Sequence, residues 1–331
     1  MDNYYIRNNE TGKLELHFDK DDYMALNDDD KAMIRSNFLF SRKYGTWCSR
    51  CKFPNLYRPE QVAKKLGLVD AGRTGENLTF AEQQERKMEK AERRAERMEY
   101  KAEKAIERGE ALQKPINDMH GDIAFFTQPN INSSGGRAFT RHRERMFSAW
   151  ERGFEEFKKS EYYESCAAKA RATANGQNQQ DKGFCQRRID EAESSIRKLS
   201  KNIKEYKGYI EAIEKGETPK DKYGWEIKSS KESIERNIER WDEMLENEIG
   251  KSVYYHECIE KLGGVVFTKN NLHKGDLIRI NKFRNAIVRA VRFGAKNITF
   301  EFTDGHMKYA DGSPMLGKCS YAEVMEVIKS A

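Results

Sequence analysis

Residues 189–213, IDEAESSIRKLSKNIKEYKGYIEAI, place Ile189, Ala192, Ile196, Leu199, Ile203, Tyr206, Ile210 and Ile213 at alternating steps of three and four. That spacing gathers the eight residues on one stripe of an α-helix. A turn, KGETPKDKYG at 215–224, leads to a second run bearing Ile234, Ile238, Trp241, Leu245 and Ile249. Two amphipathic runs joined by a short turn predict an antiparallel helical hairpin over residues 185–262.

The same steps recur upstream. Met88, Ala91, Ala95, Met98, Ala102 and Ala105 form a seam of small residues on a helix expected over 80–108, capped by Asn77 or Thr79. The other positions of this helix carry eight glutamates and nine bases at pairing distances, which predicts a self-neutralised, solvated face. Gly109 and Pro115 read as its end, followed by the loop GDIAFFTQPNINSSGG at 121–136. A second helix is expected over 137–174, with Met146, Trp150, Phe154 and Phe157 facing a core.

The flanks have other periods. In residues 1–70, YYIRNN and LELHF flank a glycine turn and read as a hairpin. KAMIRSNFLF and RPEQVAKKLGL read as short helices, with GTWCSR a strand between them, and residues 71–79 read as a glycine-rich linker. From Gly263, VVF, DLIRI, AIVRAVRF and ITFEF read as strands, and YAEVMEVIK as a closing helix. The expected fold class is mainly α with small β parts (α+β). An N-terminal α/β head occupies residues 1–70, helical segments 80–175 and 185–262 form an antiparallel coiled-coil body, and 263–331 form a small β-barrel-like module with a terminal helix.

Composition narrows the function. Of the 331 residues, 37% are hydrophobic and 34% charged, which suits long helices with small satellite domains better than one large core. No apolar run suggests a leader or a membrane span, and six scattered cysteines do not form a disulfide framework, so a cytoplasmic setting is expected. The net charge of +6 is modest, but its distribution is uneven. Glu15 to Asp30 hold seven acids and one lysine, Lys31 to Lys65 nine bases and one acid, and Gly264 to Phe300 eight bases and one acid. CSRC at Cys48 to Cys51 has the spacing of half a zinc site, but no second such pair occurs, so Cys48 and Cys51 are only weak metal candidates. No Walker loop, dinucleotide fingerprint or nucleophile elbow is present, and no cofactor is expected.

GGRAFTRHRERM, residues 135–146, sets four arginines and a histidine around one glutamate at a helix start. Arginine there opposes the helix dipole, so a gain elsewhere is implied. Exposed helix amides beside arginines suit a phosphate, and His142 is the one candidate for acid–base chemistry.

FAEQQERKMEKAERRAERMEYKAEKA, then TQPN, then GGRAFTRHRERM, then KSEYYESCAAKARA, together resemble a family known as domain of unknown function 3560, over about residues 78–175. Gln128 and Pro129 match the family's Gln-Pro step, Arg141, His142 and Arg143 its basic cluster, and Tyr162 and Tyr163 its paired aromatics. Two histidines that the family usually places after the Gln-Pro step are replaced here by NINSSGG. The first seventy residues look like a short domain often joined to this family, and the basic C-terminal strands are similar to an appendage of some members. The resemblance implies a phage, plasmid or conjugative-element setting, in some cases near genes for evading host defence. It implies no settled reaction.

The leading expectation is a non-enzymatic binding protein that contacts nucleic acid or a nucleic-acid-handling host defence complex. Its expected anion contacts are Arg137, Arg141, His142, Arg143, Arg145, Arg279, Arg284, Arg289, Arg292, Arg42, Lys43 and Arg50, with Gln128 and Asn130 supporting the loop. Two alternatives stay open: an enzyme acting on nucleotides or nucleic acid through His142, and a helical interaction scaffold that pairs with a partner protein or forms a homodimer. No membrane partner is expected.

Overall fold

The computed structural model describes residues 3–119, 132–283, 285–303 and 307–329. Gln128, Asn130 and Arg284 lie outside the described residues. Seven α-helices and two five-stranded sheets make up the described chain, an α+β architecture dominated by helix.

In the head, β1 (Tyr4–Asn8) and β2 (Lys13–His17) form the expected antiparallel hairpin. Two helices follow, α1 (Lys20–Ala25) and α2 (Asp28–Asn37). The acid-rich stretch has a local use: Asn27 Oδ1 accepts from the Asp30 amide at 2.7 Å, and Asp28, Asp29 and Asp30 fill the first turn of α2. Carboxylates there complement the helix dipole. The helix expected over KAMIRSNFLF stops at Asn37. Phe38 turns extended (φ −127°, ψ 163°) to bury its ring in the core and opens β3 (Phe38–Ser41).

β4 (Thr46–Ser49), α3 (Tyr57–Lys65) and β5 (Val69–Thr74) complete a sheet of order β3-β4-β2-β1-β5. β5 corrects the linker expected from residue 71: it pairs in parallel with β1, Tyr4 opposite Val69 and Asn8 opposite Thr74. All its residues are exposed, so its composition resembles a linker although its backbone is bonded. Tyr5, Leu14 and Leu16 of the sheet bury against Ile34 and Phe38, and against Val62, Ala63 and Leu68.

Helix α4 (Phe80–Asn117) starts at a reciprocal cap, with the Thr79 amide donating to Glu82 Oε2 and the Glu82 amide to Thr79 Oγ1. It does not end at Gly109 but runs on through Pro115. Gly109 is instead a point of close approach to α5 (Ser134–Ala174). A Cβ on Gly109 would lie 2.7 Å from the Phe157 ring, and one on Gly153 3.0 Å from the Gly109 carbonyl oxygen. Buried Ala95, Ala102 and Ala105 on α4, with Gly153, Ser160, Ala167 and Ala170 on α5, continue this small-residue seam. The pairing is antiparallel: Arg108 meets Glu156, while Arg171 bridges Glu92 and Glu99. α5 is capped by Ser133, whose hydroxyl accepts from the Gly136 amide, rather than by Ser134 or the glycines.

After the 3₁₀ turn Gln177–Gln180, α6 (Lys182–Glu214) and α7 (Lys231–Lys261) form the second hairpin. Ile203, Tyr206, Ile210 and Ile213 pack against Ile234, Ile238, Trp241 and Leu245, with Tyr206 and Trp241 edge to face at 4.5 Å.

The C-terminal sheet comprises β6 (Leu277–Ile280), β7 (Ile287–Phe293), β8 (Asn297–Phe302), β9 (Leu316–Ser320) and β10 (Val324–Lys329), in the order β10-β6-β7-β8-β9. VVF is not a strand, and the terminal helix expected over YAEVMEVIK is one 3₁₀ turn, Tyr321–Glu323, followed by β10. Ser320 and Glu323 make a true capping box, which is why the sequence reads as a helix start. Val324 then turns extended and pairs with Ile280. The two edge strands are joined by that turn alone. A flat five-stranded sheet would separate its edges by about 19 Å, beyond the roughly 14 Å that four residues span, so this sheet curls.

The chain divides into two compact units, each drawn from two stretches: 1–83 with 186–257, and 84–185 with 258–331. No described helix is long and apolar enough to cross a membrane.

Candidate nucleic-acid interface

The arginine-rich start of α5 resolves into two faces. Arg137, Arg141, Arg145 and Arg152 follow at steps of four, four and seven. At about 100° per residue they share an arc of about 80° and a length of about 22 Å. The arc lies opposite the side on which Gly153 and Phe157 meet α4. All four arginines are exposed. Arg137 donates to the Asn132 carbonyl, Arg145 to that of Arg141 and Arg152 to that of Ser148, so three are anchored by backbone oxygens. Glu144 and Glu151 flank the arc, yet none of the four arginines is in an ion pair among the described residues.

Several other bases of this hairpin are paired with glutamates. Arg108 and Lys159 hold Glu156, Lys158 holds Glu155, Lys104 holds Glu107, and Arg171 holds two glutamates. The hydrogen bonds from Lys159, then Arg108, keep the Glu156 carboxyl below the usual glutamate range, and those from Arg171 do the same for Glu99.

Two residues of the sequence cluster stand apart from the stripe. Arg143 is half-buried and already engaged within the structure. His142 is exposed and has no hydrogen-bond or ion-pair partner among the described residues, so none of these orients its imidazole for proton transfer. Arg152 is the member that the quoted motif missed. Helical periodicity carried past Met146 would have found it.

The C-terminal sheet keeps fewer free cations than its composition suggests. Arg279 pairs with Glu326 at 3.0 Å and Arg289 with its cross-strand partner Glu301 at 2.9 Å. What remains on the outer face is one row across three strands, with exposed Arg292 opposite Thr299 and Thr299 opposite exposed Lys318. Lys318 lies on β9, whose sequence LGKCS lacks the apolar alternation that marks a strand. Of the aromatics beside these bases in sequence, Phe293 packs against the sheet's core. Phe283 is half-exposed, set edge-on to Phe302 at 5.3 Å.

In the head, Arg50 donates from Nε and Nη2 to the Arg35 carbonyl, closing the C-terminal end of α2. Arg42 and Lys43 are exposed at the β3–β4 turn, with the Lys43 ammonium 4.9 Å from the Tyr44 ring centre. Cys48 lies on β4 and Cys51 is exposed beyond it. No group of three or more His, Cys, Asp or Glu side chains suited to a metal occurs among the described residues.

The sequence cations thus fall on three different elements: a stripe on α5, a short row on the C-terminal sheet and a turn in the head. Neither a curated protein nor a solved structure matches the chain. The family model described as domain of unknown function (DUF3560) matches residues 86–210. That span covers most of α4, all of α5 and most of α6, and the resemblance to this family is confined to it.

Proposed function

We propose that the protein is a non-enzymatic binding protein that contacts nucleic acid through the exposed arginine stripe of α5. The single observation that carries this proposal is the alignment of four arginines. Arg137, Arg141, Arg145 and Arg152 are exposed along one arc of α5 and have no ion pair among the described residues. Guanidinium groups one to two helical turns apart match the repeat of a phosphate backbone, and binding by them releases counterions. Arg292 and Lys318 provide a second, smaller basic row.

The setting proposed is the host cytoplasm of a phage or mobile element, with an anti-defence role. The packed parts of both heptad seams are used within the chain, which leaves the stripe as the better contact surface. Fluorescence anisotropy with labelled single-stranded DNA, duplex DNA and RNA tests the proposal. Affinity should fall steeply as salt rises. Absence of binding at about 50 mM salt, or affinity indifferent to salt, overturns nucleic acid as the ligand.

A further inference from the structure

The unit formed by residues 1–83 and 186–257 contains a cavity of about 440 Å³ between the head sheet with α3 on one side and α7 on the other. The space is a cleft open to solvent: Lys64, Arg236, Arg240 and Tyr57 in its wall are all exposed, so a dissolved ligand can reach it. It falls within the range of about 300–1,000 Å³ typical of small-molecule sites.

Charge and ring surface define that ligand. Five cations line the cavity, and two of them, Arg7 and Arg73, are tied to Glu243. The other three are available. Lys64 of α3 and Arg240 of α7 have no hydrogen-bond or ion-pair partner among the described residues, and Arg236 donates only its Nε, to the Glu232 carbonyl of its own helix. Of the four acids in the wall, Glu243 is held by arginines, Asp70 accepts the Tyr5 hydroxyl at 2.9 Å, and Glu60 and Glu239 have no hydrogen-bond or ion-pair partner among the described residues, so five cations face four acids and the wall keeps a small positive excess. Arg7 also lies 4.1 Å over the Phe53 ring, and its Nε is buried with no hydrogen-bond partner. Phe53 and the exposed ring of Tyr57 supply aromatic surface in the same wall.

We propose that this cavity binds a nucleoside diphosphate, with Lys64, Arg236 and Arg240 taking the phosphates and Phe53 and Tyr57 lying against the base. Three cations from two elements can donate hydrogen bonds to a diphosphate, and the rings give a planar base an apolar seat. The site is independent of the α5 stripe, so either can fail without the other.

Isothermal titration of the full chain with ADP, GDP, UDP and pyrophosphate tests the site. At least one diphosphate should bind with measurable heat, and the double variant Lys64→Ala/Arg240→Ala should weaken it by at least about tenfold with an unchanged circular dichroism spectrum. Tyr57→Ala should weaken the nucleotide and leave pyrophosphate unaffected. No heat from any probe at millimolar concentration, or an undiminished affinity in the double variant, overturns the site. Equal loss of nucleotide and pyrophosphate in Tyr57→Ala overturns the assignment of the base.

Discussion

Replacing Gly153 with alanine probes the close approach of α4 and α5. A Cβ at this position would lie 2.6 Å from Gln113 Cγ and 3.0 Å from the Gly109 carbonyl oxygen. The first neighbour is a side chain that can move, but moving it endangers the bond from Gln113 Nε2 to the Trp150 carbonyl. The second is backbone and yields only if the helices separate. Alanine gains about 1 kcal/mol over glycine within a helix. Overpacking costs about 1–3 kcal/mol, and the lost hydrogen bond about 1 kcal/mol more. The net expectation is destabilisation by about 1–3 kcal/mol, at about 2–4 °C of melting temperature for each kcal/mol. Gly208 supplies the control: it is exposed on α6 with nothing within 4 Å of its Cβ position, so Gly208→Ala should gain about 1 kcal/mol. Urea unfolding followed by circular dichroism should move the two midpoints in opposite directions. A Gly153→Ala protein as stable as the parent would refute the close approach of α4 and α5.

Acid and thiol chemistry give further outcomes. Because Glu99 and Glu156 have folded pKa values held below the usual 4.5, mainly by hydrogen bonds from Arg171 and Lys159, their contribution is complete above that value and declines as pH falls through the lowered ones. The melting temperature should therefore drop below about pH 4.5, and by less in Arg171→Ala. Burial pushes the thiols of Cys185 and Cys319 up to about 12, while Cys51 is exposed. Alkylation at pH 8 followed by mass spectrometry should modify Cys51 readily and spare Cys185 and Cys319 until the chain is unfolded. Early modification of either buried cysteine would contradict their packing.

The helical hairpins were legible because their signal is local and repeated. Ile189 to Ile213 keep one spacing over seven steps, and a short turn leaves an antiparallel return as the simple outcome. The errors arose where a local signal has two uses. Gly109 resembles a helix terminator, but it serves close packing, which depends on Phe157 and Gly153 in another helix. Ser320 and Glu323 cap a turn that goes no further, because Val324 finds a strand partner some forty residues back in Ile280. β5 has no apolar face to reveal it, only its bonds to β1. The α5 stripe could be read from helical spacing, whereas the pairing of Arg279 and Arg289 with glutamates depended on strand register. The cavity was out of reach, since Lys64 and Arg240 meet only in the fold.

The slope of log K against log salt for duplex DNA tests the central claim most directly, measured for the parent chain and for Arg137→Ala/Arg141→Ala/Arg145→Ala/Arg152→Ala. If the four exposed arginines each neutralise a phosphate, the variant's slope should be shallower by about 3.6. A variant that binds with the parent's slope and affinity would contradict the assignment of the α5 stripe as the nucleic-acid contact.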